Sequence, residues 1–304
     1  MVGNHIVIGL GGTISLAMGE GRAVSRANIA ELLTDSAVGD LKGTWSSTQL
    51  MTVNSADITP LDIVSVAQFI AGETMGAQGV VVTTGTDTLE EVAYGLSLIL
   101  GKSANVIVTG AMRPPFAPDF DGTRNLRFAA GLIEERAQRG ERGVLIAIGG
   151  SVLPPARTIK TSTHSLNAFS ACPGRDKDRD AAAGPIDFSS ISWRELNIPI
   201  LSMATGYRFD PAILEGTDGL VVACPGYASL SSSLFTALAE WINRTGLPVV
   251  LASRCHDSGA DLNHIYPGYV DRAEDAGFHV RDFLGLSPEK ARLRLLFRMN
   301  GVAP

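Results

Sequence analysis

The stretch Val80-Val-Val-Thr-Thr-Gly-Thr-Asp-Thr-Leu-Glu-Glu91 decides the fold. It opens on an apolar run too short for a helix, turns at Gly85, and passes into a segment with helix-period apolar residues as far as Leu100. A strand with no polar alternation is buried on both faces, as in parallel sheets covered by crossover helices. The same rhythm extends outward. Ile6 to Leu10, Val80 to Thr84, Asn105 to Thr109 and Val144 to Ile148 read as strands, and Pro60 to Gly72, Asp87 to Leu100 and Gly122 to Arg139 read as helices.

Around Cys172 to Pro185 the pattern gives way to a charged and then small-residue tract with no periodic apolar face. Beyond it the alternation resumes on a smaller scale. Strands are expected at Pro199 to Ala204, Gly219 to Ala223 and Pro248 to Ala252, and helices at Ser231 to Thr245 and Ser287 to Arg298. The expected architecture is α/β: a larger parallel-sheet domain over residues 1–185, a linker at about 172–198, and a smaller α/β domain over 199–304.

The bulk properties fit that division and narrow the partners. With 304 residues, 45% hydrophobic and 18% charged, the chain can bury a core in each of two domains. A formal charge of −6 gives no electrostatic reason to bind nucleic acid. The first residues lack a basic leader and no apolar run reaches membrane-spanning length, so no membrane partner and a cytoplasmic location are expected. Cys172, Cys224 and Cys255 lack paired spacing, which fits a reducing compartment. The five histidines show no metal-ligand spacing, so no metal is expected. Cys255-His256-Asp257 tempts a triad reading, but neighbours on a strand point to opposite faces.

Ligands of parallel sheets bind at the carboxyl ends of the strands, and two loops there are rich in hydroxyls. Gly9-Leu-Gly-Gly-Thr-Ile-Ser15 puts Thr13 on a glycine-rich turn; Ile14 stands where a dinucleotide fingerprint needs its third glycine. Thr83 to Glu91 follows an apolar strand, and there Asp87 with Glu90 resembles a capping box. A helix start at that place also offers positive potential to a carboxylate or an oxyanion. A threonine nucleophile needs a neighbouring base, and Lys160, in the hydroxyl-rich Ala156-Arg-Thr-Ile-Lys-Thr-Ser-Thr-His164, is the best candidate. Arg113, before Pro114 and Pro115, reads as a rigid turn held by a salt bridge.

Taken in order, Gly11-Gly-Thr-Ile14, Thr84-Gly-Thr-Asp-Thr-Leu-Glu-Glu91, Val108-Thr-Gly-Ala-Met-Arg-Pro114 with Asp121-Gly122 and Asn125-Leu126, Lys160-Thr-Ser-Thr-His-Ser-Leu-Asn-Ala-Phe169 and Leu286-Ser-Pro-Glu-Lys-Ala-Arg-Leu-Arg294 resemble signature segments of bacterial L-asparaginases. The resemblance spans nearly the whole chain. It implies a cofactor-free amidohydrolase that releases ammonia from a small carboxamide such as L-asparagine through a threonine acyl-enzyme. It also implies a homo-oligomer, dimer or tetramer, whose partner is otherwise only the small amide. Carried over by position, Thr13 is the first nucleophile, and Thr86, Asp87 and Lys160 form a second cluster. Asp87 takes the substrate's α-ammonium, Ser55 its α-carboxylate and the Ala111 carbonyl the leaving amide nitrogen, with Gly12, Ala56, Asp57 and Gly85 also lining the substrate.

The sequence departs from the family at the substrate's amino end. Ala56 replaces a polar residue after Ser55, and Cys224-Pro-Gly-Tyr-Ala-Ser229 lacks an expected asparagine; the loop tyrosine that assists the first threonine in the family is also absent from Ala17 to Ser25, which leaves open that the Thr86/Lys160 pair carries the nucleophilic attack in place of Thr13. Asp271 and Glu274 are the nearby candidates for a carboxylate that reaches the ammonium. Two readings follow besides plain asparagine hydrolysis: action on an amide with a modified or absent α-amine, and a catalytically silent amino-acid-binding protein.

Overall fold

The computed structural model describes residues 3–19, 22–25, 29–33, 39–72, 76–172, 188, 191–255 and 266–302. Two compact units emerge, the first running to Ala171 and the second from Ile191. Most of the tract expected as a linker, 173–187 and 189–190, lies outside the described residues.

The strands of the first unit are β1 (Asn4–Gly11), β2 (Leu16–Gly19), β3 (Arg22–Ser25), β4 (Thr44–Val53), β5 (Gly79–Thr83), β6 (Asn105–Thr109), β7 (Gly143–Ile148), β8 (Ser151–Leu153), β9 (Thr158–Lys160) and β10 (Phe169–Ala171). Six of them form one sheet in the order β4-β1-β5-β6-β7-β8, parallel except for the β7–β8 hairpin. Pairs β2–β3 and β9–β10 are separate antiparallel ribbons.

The apolar runs form this sheet because both of its faces are covered. Val7, Val81 and Ile107 lie side by side in register. They pack on Leu126, Ala129 and Ile133 of the helix Gly122–Gln138. The alternate row Ile8, Val82, Val108 and Ile146 is just as buried on the other side. The helices Pro60–Gly72 and Leu89–Leu100 pack on each other, and the second also lies against β7.

Strand β4 escaped the sequence reading. Its core, Trp45-Ser-Ser-Thr-Gln-Leu-Met51, has no apolar alternation, and among the described residues it pairs only with β1, at the sheet edge, where half-exposed positions tolerate such a mixture. Its first residues help to build a buried polar group at the amino ends of the strands. There His5 stacks on Trp45 with ring centroids 4.8 Å apart. Glu134 accepts the N–H of Lys42 at 3.1 Å, that of Gly43 at 2.5 Å and the Trp45 indole N–H at 3.4 Å. Burial holds the His5 imidazole below its ordinary pKa, and the Glu134 carboxylate opposes that shift.

The second unit repeats the plan in miniature. Strands β11 (Ile200–Ser202), β12 (Leu220–Cys224), β13 (Val249–Ser253) and β14 (Phe278–His279) form a parallel sheet in chain order. Its core joins Leu220, Val222, Val249 and Leu251 to Leu234, Leu238 and Trp241 of the helix Ser232–Thr245. That helix starts where the sequence suggested, with Ser231 accepting the Leu234 N–H as N-cap, and stops at Gly246 with φ of +68°. Ser287 caps the helix Pro288–Met299 in the same way.

All three cysteines are free thiols. Cys172 and Cys224 are buried and Cys255 is exposed, while burial pushes the Cys224 thiol up to about 12. Cys255 follows β13; His256 and Asp257, with which it could be read as a triad, lie outside the described residues.

Candidate active site

Strands β4, β1, β5 and β6 end at the same edge of the sheet, and the turns that leave them carry the residues singled out by sequence. The turns after β1 and β5 meet backbone to backbone. Gly12 has φ of +81°, and a Cβ placed on it would lie 2.2 Å from both Cα and N of Gly85, so neither turn tolerates a side chain at that contact. Thr13 and Thr86 each stand one residue beyond these touching glycines. Thr13 is half-buried and opens the short 3-10 turn Thr13–Ser15, which the Ser15 N–H closes on the Gly12 carbonyl at 3.0 Å. Thr86 is buried.

The turn after β4 underlies the second threonine. Ser55 is buried; its Oγ accepts the Asp87 N–H at 3.3 Å and donates to Asp87 Oδ2 at 3.5 Å. The Thr88 hydroxyl donates to the Ser55 carbonyl at 2.7 Å and so ties the turns after β4 and β5 together. Ala56 and Asp57 are exposed on the same 3-10 turn, and no described residue pairs with the Asp57 carboxylate.

Lys160 ends β9, where Phe169 of β10 pairs with it. Its Nζ lies 3.0 Å from Thr86 Oγ1 and 2.8 Å from Asp87 Oδ1. The lysine side chain is 18% exposed and that of Asp87 69%, so the amine bridges a buried hydroxyl and a solvated carboxylate. The backbone N–H of Lys160 donates to Glu90 Oε1 at 3.2 Å, which fixes where the side chain starts.

These contacts overturn the capping-box reading of Asp87 and Glu90. The helix begins at Leu89, its N-cap is Thr88, and Thr88 makes no side-chain cap bond. Asp87 and Glu90 instead serve Lys160, some seventy residues away along the chain. A cap and a tertiary ion pair compete for one carboxylate, and a charged partner makes the stronger hydrogen bond. Sequence gave no sign of this for Glu90, nor of the part played by Thr88, because both partners come from distant turns.

Ala111 follows β6 and is fully buried. Arg113, as its Arg-Pro-Pro context suggested, is held by a salt bridge, Nε to Asp119 Oδ2 at 3.0 Å.

Residues 5–176 match the family description "Asparaginase, N-terminal", and residues 198–300 match "Glutaminase/Asparaginase C-terminal domain". The chain belongs to the asparaginase family. It is 32% identical to the probable L-asparaginase of Deinococcus radiodurans, over 88% of this chain and 85% of that one. Against L-asparaginase 2 of Escherichia coli the identity is 28%, over 96% and 87% respectively. The solved structure of a probable cytoplasmic L-asparaginase from Campylobacter jejuni superposes with a TM-score of 0.74 at 27% identity, covering 98% of this chain and 95% of that one. The thermostable L-asparaginase from Thermococcus kodakarensis, at 23% identity, shares the fold with a TM-score of 0.77 and coverage of 98% and 93%. This asparaginase-family chain is an amidohydrolase, built on a large parallel-sheet domain and a smaller C-terminal one.

In the second unit, the two carboxylates named by sequence as candidates for an ammonium contact are both engaged by an arginine. Asp271 and Glu274 both form ion pairs with Arg281, and Glu274 also accepts the Arg281 N–H at 2.9 Å. In the turn after β12, Ala228 has φ of +58°, a left-handed conformation rare outside glycine, and its carbonyl accepts the Tyr269 hydroxyl at 2.7 Å.

Proposed function

We propose that the chain hydrolyses L-asparagine, or an amide closely like it, through a threonine acyl-enzyme. The observation that carries this reading is the Lys160 amine, 3.0 Å from Thr86 Oγ1 and 2.8 Å from Asp87 Oδ1, beside the turn that bears Thr13. Thr13 Oγ attacks the amide carbon, and its proton passes by way of the Thr86 hydroxyl, held by Lys160, toward the departing nitrogen. The carbonyl electron pair moves onto oxygen. The N–H groups of Thr13, Gly85 and Thr86 donate to no described residue and are the nearest candidates to stabilise that oxyanion.

The C–N bond then breaks, nitrogen takes a proton and leaves as ammonia, and an ester remains on Thr13. Water activated by Thr86 and Lys160 attacks the ester, releasing the carboxylate and regenerating the hydroxyl. Asp87 holds the α-ammonium, Ser55 the α-carboxylate and the Ala111 carbonyl the amide nitrogen, while Gly12, Gly85, Ala56 and Asp57 shape the floor and rim. The names of the relatives from Deinococcus radiodurans and Escherichia coli support L-asparagine as the reference substrate.

A second reading concerns the amine end. Asp271 and Glu274 are engaged by Arg281, and Ala56 offers no polar group, which favours an amide whose α-amine is modified or absent. We further propose a homo-oligomer, dimer or tetramer, working in the cytoplasm without nucleic-acid or membrane partners. No helix among the described residues is long and apolar enough to cross a membrane, and the Campylobacter jejuni neighbour is described as cytoplasmic.

The test is ammonia release from L-asparagine, D-asparagine, L-glutamine and succinamate by the wild type, Thr13→Ala and Lys160→Met. Turnover of at least one amide, lost in both variants, is the expected result, and the preferred amide separates the two readings. Absence of ammonia from every amide, with amino-acid binding seen by calorimetry, would leave a silent binding protein.

A further inference from the structure

Lys160 stands on a two-stranded ribbon outside the main sheet, and the helix Leu89–Leu100 packs against that ribbon. Strands β9 and β10 run antiparallel, with Lys160 opposite Phe169. The next pair along is closed by the Thr161 N–H, which donates to the Ala168 carbonyl at 2.7 Å. Pairs that exchange hydrogen bonds alternate with pairs that do not, so the Lys160 N–H points away from β10. It is a strand donor whose acceptor has to come from another element.

That acceptor is Glu90 Oε1, at 3.2 Å, on the second residue of the helix. Lys160 is therefore held at both ends by one short segment. The Thr86 hydroxyl and the Asp87 carboxylate take its Nζ at 3.0 and 2.8 Å, and Glu90 takes its main chain. Between those points runs a flexible four-carbon stem. An amine on such a stem keeps its place on a hydroxyl only while the backbone that carries it is held. The helix macrodipole favours a carboxylate anywhere in that first turn, and Glu91 shares the advantage, but the bond to Lys160 is made by Glu90.

We propose that Glu90 is a positioning residue: by accepting the Lys160 N–H it locks the ribbon to the helix start and keeps the Lys160 amine on the Thr86 hydroxyl. This rests on the reading of Thr13, Thr86 and Lys160 as the reacting cluster. Glu90 acts through the lysine, so its loss slows the chemical step and leaves substrate affinity nearly as it was. The acceptor oxygen carries the effect and the charge does not, so glutamine, which keeps an oxygen in the same place, substitutes for glutamate.

The experiment measures kcat and KM for ammonia release from the amide turned over fastest, in the wild type, Glu90→Gln, Glu90→Ala and Glu90→Met, with melting temperature by circular dichroism. Methionine fills the space of the glutamate but offers no oxygen. We expect kcat to fall about ten-fold in Glu90→Ala and Glu90→Met with KM within about two-fold of wild type, and Glu90→Gln to keep kcat within about three-fold. A folded Glu90→Ala or Glu90→Met with wild-type kcat, a loss carried by KM, or a Glu90→Gln as slow as Glu90→Ala would overturn the inference. Loss of fold in both Glu90→Ala and Glu90→Met would overturn it as well and assign Glu90 to stability alone. Any of these results on an active wild type leaves the reading of the cluster standing. A wild type that releases ammonia from no amide would overturn that reading, and this inference with it.

Discussion

At the scale of single residues, the lysine bridge and the glycine contact make separable demands. Lys160→Met removes the amine that links Thr86 to Asp87 while keeping a side chain of similar length, so kcat should fall by about 10²- to 10⁴-fold with little change in melting temperature. A variant that melts normally and keeps wild-type kcat would sink the role given to Lys160. Gly12→Ala acts differently: its methyl group would meet the Gly85 backbone, and its φ is one that alanine resists. We expect a loss of about 1–3 kcal/mol in urea unfolding together with activity, and an unaltered midpoint would show that the turns can part. That Lys160 would meet Thr86 and Asp87 was implied by the family resemblance of their segments, while the residue pattern alone offered only hydroxyls beside glycine at strand ends and a candidate lysine. Glu90 was misassigned because a local cap and a distant partner look identical in one dimension.

At the scale of elements, the turn after β12 holds a testable strain. Ala228 has φ of +58°, in a turn that the Ser229 N–H closes on the Pro225 carbonyl, and its own carbonyl accepts the Tyr269 hydroxyl. Ala228→Gly should raise stability by up to about 1 kcal/mol, read as a higher urea midpoint; a lower midpoint would mean that the left-handed form is unstrained. Strands and helices of the buried layers were legible almost to the residue, as at Pro60–Gly72 and Asn105–Thr109, since burial on both faces writes itself as continuous apolar sequence. Strand β4 was not, because an edge strand with one neighbour is specified by register with β1, from Asn4 opposite Thr44 to Gly9 opposite Gln49, and not by its own pattern. Helix starts were clear where a serine caps them, at Ser231 and Ser287, and misread where Thr88 occupies the cap without bonding.

At the scale of the whole molecule, acidity is the condition to vary. His5 is buried with its pKa below 6.5, so the unfolded chain binds its proton more readily than the folded one does. Stability from this site is full above 6.5 and is lost as the pH falls below that value. The melting temperature should therefore drop between pH 8 and pH 5.5 by less in His5→Phe than in the wild type; parallel curves would acquit the histidine. The two-domain plan was legible from composition, since the charged and small-residue tract after Cys172 interrupts both periodicities. The polar group of His5, Trp45 and Glu134 was not, because it draws on three elements far apart in sequence. The thiols lend themselves to conjugation chemistry. With Cys172 and Cys224 buried, the latter raised to about 12, a maleimide at neutral pH has one ready target, Cys255 beyond the end of β13. A dye, a surface or a polymer could thus be attached to the smaller unit at a defined point, leaving the threonines and Lys160 of the larger unit chemically untouched.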